Sequence, residues 1–98
     1  MKLIELPEFS KWIGGETAKS KAQIYVRLAN IQNHNHFGDH KSVGDDVMEL
    51  RWANGRRVYY ALKKDNHGAI TILILGGNKN GQDRDIKNAK KILKKSGW

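Results

Sequence analysis

The sequence predicts one α+β domain, residues 1–98, with helices packed on an antiparallel sheet of about four strands. The first observation is a change in hydrophobic spacing, from a helical period near 3.6 before residue 33 to an alternating period of two after residue 46. The second is a return to helical spacing from residue 82 or 83 onward. The third is length, because 98 residues with 39% hydrophobic composition fill one small core.

The N-terminal third is expected to form a strand and then a helical hairpin. Residues 2–6 alternate weakly and end at Pro7, which suits the first turn of a helix because it has no N–H. Gly14 and Gly15 end this first helix, and Thr17 can cap a second helix that runs to about residue 32. The first helix places its apolar residues on one face at Phe9, Trp12 and Ile13. The second is expected to bury Ala18, Ala22, Tyr25, Leu28 and Ala29.

The middle of the chain is expected to form three antiparallel strands after a polar loop at residues 33–40. Alternating or continuous apolar residues predict these strands at 47–52, 57–62 and 70–75. The connecting turns are expected at 54–55, an Asn-Gly pair, and at 65–68. Gly76 and Gly77 are expected to break the third strand. The final helix then has a buried stripe at Ile86, Ala89, Ile92 and Leu93.

The chain is strongly basic, with a net charge of +8. Residues 63–98 carry nine basic and three acidic side chains, so most of the excess lies there. A small domain with this charge typically binds a polyanion, although the charge also serves solubility alone. With no cysteine and no apolar run long enough to cross a membrane, the protein is expected to be soluble and cytoplasmic.

A candidate site follows from the strand alternation. Glu49, Arg51, Arg57 and Tyr59 should project from the same sheet face, with Lys79 at its rim and Lys41 at the entry to the first strand. Arginine binds phosphate through two hydrogen bonds and stabilises charge in a transition state, and tyrosine can stack on a base. The simpler alternative is a solvated face with cross-strand Glu–Arg pairs.

The candidate site contains few groups that could transfer protons. Cleavage of RNA through the 2′-hydroxyl needs a group that accepts a proton and another that donates one. Glu49 is the only carboxylate expected on the face, and His40 is the nearest imidazole. The spacing of His34, His36 and His40 resembles that of a sparse metal site, but no acidic or cysteine ligand lies at a suitable spacing from them. We therefore expect no metal and no cofactor. The phosphate loop, HExxH and GxSxG motifs do not occur in the sequence either.

Four ordered motifs resemble the RelE/ParE toxin superfamily, and in particular its HigB-like, phage-derived group of addiction-module killer proteins. They are Phe-Gly-Asp-His-Lys-Ser-Val-Gly at 37–44, Val-Met-Glu-Leu-Arg at 47–51, Arg-Val-Tyr-Tyr at 57–60, and the segment 75–89 that begins Leu-Gly-Gly-Asn-Lys. The first 36 residues fit the same pattern, so the resemblance covers nearly the whole chain.

The resemblance implies a RelE-like fold and the toxin of a type II toxin–antitoxin system. RelE and HigB members cut mRNA in the ribosomal A site without a metal, so an endoribonuclease that inhibits translation is implied. An antitoxin, usually a helix-turn-helix protein in this group, is the implied partner beside the ribosome and mRNA. The resemblance matches Arg57, Arg51 and Lys79 to basic residues of the family, whereas Glu49 replaces a family lysine. Together with the strand-face reasoning, this gives Arg51, Arg57, Lys79 and Glu49 as the expected catalytic residues. The expected substrate-binding residues are Lys41, Tyr59, Arg56 and His40.

Two departures from the family pattern bear on activity. RelE uses a tyrosine in its C-terminal helix, where this chain reads Asp83-Arg84-Asp85-Ile86, and the HigB histidines have no secure counterpart. ParE members share the fold but poison DNA gyrase. A gyrase poison and a non-catalytic RNA-binding module therefore remain as alternatives.

Overall fold

The computed structural model describes all residues from 1 to 98. Three helices pack against one five-stranded sheet. In chain order the elements are β1 (Lys2–Glu5), α1 (Pro7–Gly14), α2 (Ala18–His34), β2 (His40–Gly44), β3 (Val47–Arg51), β4 (Arg56–Asp65), β5 (Gly68–Asn78) and α3 (Gln82–Lys95). A short 3₁₀ turn, Lys79–Gly81, connects β5 to α3. No helix is both long and apolar enough to span a membrane.

The sheet has the strand order β1-β5-β4-β3-β2. It differs from the predicted antiparallel sheet of about four strands in two ways. First, β1 pairs in parallel with β5, so the sheet is not wholly antiparallel. Second, a fifth strand, β2, forms where the sequence predicted the end of a loop and the entry to β3. The sequence HKSVG does not alternate because β2 is an exposed edge strand whose side chains need not be apolar.

The helices cover both faces of the sheet. We call the side that carries α3 the α3 face, and its buried cluster includes Val47, Tyr59 and Ile72 together with Ala89 and Leu93 of the helix. We call the opposite side the α1–α2 face, where α1 and α2 share one cluster with sheet residues. Both N-terminal helices therefore pack on the sheet, and α1 lies against β5. The two helices of the expected hairpin thus contribute to the same buried cluster on one face of the sheet.

The buried stripe of α2 differs from the expected one. The helix buries Ser20, Ile24, Leu28 and Ile31, so only Leu28 was predicted correctly. The expected alanines and Tyr25 are exposed. Isoleucine removes far more apolar area from water than alanine does, so the face with the two isoleucines is buried. The predicted cap is confirmed, because the Thr17 hydroxyl accepts a hydrogen bond from the Ser20 N–H at 3.1 Å.

The glycine pair in β5 does not break the strand, which continues to Asn78. A Cβ atom at Gly76 would overlap the indole ring of Trp12, and one at Gly77 would overlap the carboxylate of Asp85. At Gly76 the added atom would meet a bulky ring, whereas at Gly77 it would meet the end of a flexible side chain, so the need for glycine is stronger at Gly76.

Arg27 holds the loop after α2 against the sheet, a role that the sequence did not reveal. Its guanidinium donates hydrogen bonds to the carbonyls of Phe37, Asp39 and Arg51. It also lies 4.4 Å from the centre of the Trp52 ring, in a cation–π contact. Burial lowers the pKa of Arg27, although Asp39 opposes the shift. These contacts fix the carbonyl end of β3, where Arg51 lies.

Candidate functional site

The candidate site occupies the α3 face near the turn between β3 and β4. In the strand register, Arg51 lies opposite Arg57, and Glu49 lies opposite both Tyr59 and Lys41. Residues directly opposite in an antiparallel pair project to the same side. The predicted shared face of Glu49, Arg51, Arg57 and Tyr59 is therefore confirmed, and Lys41 of the edge strand belongs to it.

Glu49 is wholly buried, although the sequence suggested an accessible proton acceptor. Its Oε1 accepts a hydrogen bond from Arg51 Nε at 3.1 Å, and its Oε2 accepts one from Gln82 Nε2 at 2.7 Å. Both carboxylate oxygens are thus engaged, and α3 covers them. In this arrangement Glu49 contacts Arg51 and Gln82 and has no exposed surface.

The two arginines of the site are held differently. The Arg51 side chain is 30% exposed, and its only hydrogen bond is the one from Nε to Glu49. Its two terminal nitrogens therefore remain for a ligand. The Arg57 Nη1 donates to the carbonyls of Arg56 at 2.9 Å and Trp52 at 3.3 Å. The Arg57 Nε is buried without a partner. Arg51 is the better placed of the two to bind an incoming phosphate.

Tyr59 is also wholly buried, so the base stacking suggested by the sequence is not available to its ring. Its hydroxyl lies beside the Glu49 carboxylate, but the contact does not have the geometry of a well-formed hydrogen bond. Burial raises the pKa of Tyr59 well above that of a free tyrosine, and the nearby Glu49 carboxylate raises it further. Tyr59 thus acts as a core residue under α3.

Replacing Tyr59 with phenylalanine should leave the free energy of unfolding unchanged or raise it by up to about 1 kcal/mol. The substitution removes a buried hydroxyl that lost its bonds to water and gained no well-formed hydrogen bond in the protein, only its contact with the Glu49 carboxylate. Because the folded-state pKa is raised, the wild type loses stability once tyrosine ionises in the unfolded chain, above about pH 10. The advantage of Tyr59→Phe should therefore widen there. Urea unfolding at neutral and alkaline pH measures both effects, and a clear loss of stability at neutral pH would contradict the account.

Lys79 lies at the turn between β3 and β4, and Lys41 lies on the edge strand opposite Glu49. Lys79 is exposed just beyond β5, and its side chain lies over Gly55 in the β3–β4 turn. Its backbone N–H donates to the Gly55 carbonyl at 2.9 Å, which fixes the end of β5 against that turn. Lys41 is exposed on β2 in the row of Glu49 and Tyr59. The cations are therefore spread along one end of the sheet.

Two residues expected to bind substrate lie on the face of the sheet opposite to Arg57. His40 is opposite Leu50 in the register, on the α1–α2 face, and its ring lies 5.7 Å from that of Phe37. Arg56 precedes Arg57 on the strand, so it points to the other face, where its Nε lies 3.0 Å from Glu16 Oε1. Both were expected to bind substrate together with Arg57. Side chains alternate between the two faces along a strand, so closeness in sequence does not by itself put residues on the same face.

A groove of about 770 Å³ borders the site at the start of α3. Its walls are the Trp12 indole and the polar segment 76–85, which includes Lys79, Gln82 and Asp85. Burial raises the pKa of Asp85, and the Arg84 guanidinium opposes the shift. Nothing in the sequence marked Gln82 or Asp85 as part of the site, because only the start of α3 brings them to the sheet. No three histidine or acidic side chains lie close enough to hold a metal ion.

The fold of this chain is similar to that of a solved structure. It matches the solved structure described as a YoeB/ParE toxin from Agrobacterium tumefaciens with a TM-score of 0.60, over 80% of this chain and 98% of that one. The two sequences are only 16% identical, so the match shows a common fold.

A closer relative is found by sequence. The chain is 40% identical over 90 residues to an uncharacterized protein from Haemophilus influenzae, covering 91% of this chain and 89% of the other. The chain belongs to the same family as that Haemophilus protein. No protein-family model matches it.

Proposed function

We propose that this protein is the toxin of a toxin–antitoxin pair and cuts mRNA at the ribosome. The observation that supports the proposal most directly is the pairing of Arg51 and Arg57 across β3 and β4 on one partly open sheet face. The fold shared with a solved YoeB/ParE toxin supports the same class. The net charge of +8 suits a polyanionic substrate.

The arrangement favours phosphate binding and charge stabilisation. Arg51 would hold the scissile phosphate through its free terminal nitrogens, and Arg57 would add positive charge from the opposite strand. Lys41 and Lys79 would bind the phosphates on either side. Since Glu49 is fully engaged, the 2′-hydroxyl would give its proton to water as its oxygen bonds to phosphorus, and the departing 5′-oxygen would take a proton from water. The rate enhancement would come mainly from positioning the 2′-hydroxyl and neutralising the developing charge.

An antitoxin would be the natural partner of such a toxin. The sequence resemblance points to a helix-turn-helix protein. A gene for a small protein of that kind beside this one would support the pairing. Co-expression of the two should then restore growth.

The decisive experiment separates translation arrest from the alternatives. The purified protein is added to a translation extract with a defined mRNA, with and without ribosomes, and new 5′ ends are mapped. The proposal predicts ribosome-dependent cuts within codons and a stop in protein synthesis.

Parallel assays give the contrary outcomes. Inhibition of DNA supercoiling by purified gyrase, with intact mRNA, would indicate a gyrase poison. Retardation of RNA without any cleavage, even with ribosomes present, would indicate a binding module. Either result would overturn the proposed nuclease activity.

A further inference from the structure

The first residue of α3 is connected to the candidate site by a side-chain hydrogen bond. Gln82 reaches from the start of the helix to β3, and its Nε2 lies 2.7 Å from Glu49 Oε2. The two residues are 33 positions apart in the chain. This bond therefore joins the helix to the sheet at the point where the arginines lie.

Glu49 connects Gln82 to Arg51 through its two carboxylate oxygens. One carboxylate oxygen accepts from Gln82 and the other from Arg51 Nε at 3.1 Å. Because Glu49 is wholly buried, water does not compete for these bonds, and a hydrogen bond to a charged group is stronger than a neutral one. If the Gln82 bond were lost, the carboxylate could rotate and the Nε bond would lose its geometry.

Arg51 is the charged member of this chain of bonds that has nitrogens without a protein partner. Its guanidinium is fixed at Nε, while the terminal nitrogens have no protein partner and the side chain is 30% exposed. A guanidinium held at one edge loses less conformational entropy when it binds a phosphate. We propose that Gln82 is a positioning residue that acts through Glu49 to fix the Arg51 guanidinium for phosphate binding. This inference rests on the proposed nuclease function and assigns a role within the same site.

The test is a double-mutant cycle on RNA cleavage with Gln82→Leu and Arg51→Ala. Gln82→Leu alone should lower cleavage by up to about 100-fold, the loss that accompanies a misplacement of about 1 Å. In the Arg51→Ala background the same change should cause no further loss of cleavage, because its target is gone. Any change in melting temperature caused by Gln82→Leu should be the same in the wild-type and Arg51→Ala backgrounds. Asn88→Leu, exposed on the same helix, is the control for adding a leucine.

A spectroscopic measurement decides the same question without substrate. The Arg51 Nε–H signal in a ¹H–¹⁵N spectrum, assigned by its absence in Arg51→Ala, should exchange slowly in the wild type and quickly in folded Gln82→Leu. An unchanged signal, with cleavage losses that multiply in the double variant, would mean that Gln82 only tethers the helix and would overturn the inference. If the wild type does not cut RNA, the proposed function fails, while the Nε–H signal still decides whether Gln82 controls Arg51.

Discussion

Arg51→Ala should abolish growth arrest on expression and lower ribosome-dependent cleavage by about 100-fold or more. Removal of one preorganised donor from a site that stabilises developing negative charge typically has an effect of this size. Arg51 offers its terminal nitrogens at the partly exposed end of the α3 face. Arg57→Ala should act in the same direction, since Arg57 lies opposite on β4. Viable counts after induction and primer extension on a reporter mRNA measure the two effects.

Arg56→Ala is the matched control for these two substitutions. Arg56 is next to Arg57 in the chain but on the other face of the sheet, where it pairs with Glu16. Its loss removes the same charge from the protein, so a decrease in general electrostatic attraction would affect all three variants alike. We expect Arg56→Ala to remain toxic. If it were as inactive as Arg51→Ala, net charge would explain the results and the assignment of the site to the α3 face would fail.

Gly76→Ala should destabilise the protein by about 3 kcal/mol, at the upper end of overpacking effects. The added Cβ would overlap three atoms of the Trp12 indole, and this ring cannot move freely because Phe9 packs beside it at 5.8 Å between centroids. The melting temperature should fall by about 12 °C or more. Thermal unfolding followed by circular dichroism measures this change.

Two other glycines provide the comparison. At Gly14, the last residue of α1, an added Cβ would have no neighbouring atom within 4 Å, so Gly14→Ala should be neutral or stabilise by up to about 1 kcal/mol. Gly77→Ala would meet the end of the flexible Asp85 side chain, which can rotate away, and should cost less than Gly76→Ala. Equal melting temperatures for Gly76→Ala and Gly14→Ala would contradict the packing of Trp12 on β5.

The sequence predicted local structure well where the pattern was strong. Alternation in β3 and β4 correctly placed Glu49 and Arg51 on one face, and the Asn54-Gly55 and 65–68 turns form between strands. It did not predict that α3 buries Glu49 and Tyr59, because alternation defines the faces of a sheet and carries no information about what covers each face.

Long-range pairing was the other part that the sequence could not supply. The parallel contact of β1 with β5 depends on how the chain crosses over after α1 and α2, which no local pattern records. The same holds for the Gln82–Glu49 bond, which needs the helix start and the strand to be brought together by the fold. Glu49 and the candidate cations were therefore predicted from the sequence, whereas the contact of Gln82 with Glu49 became visible only in three dimensions.

The position of β5 in the sheet has a consequence for synthesis of the protein. This strand lies between β1 and β4, yet it occupies residues 68–78, late in the chain. While the nascent polypeptide is still shorter than this, β1 has no neighbour and α3 is absent, so Arg51 lacks the support of Gln82. Residues 68–82 must therefore be synthesised before β1 is paired and the Gln82–Glu49 bond can form, and an interrupted chain that ends before β5 would lack both.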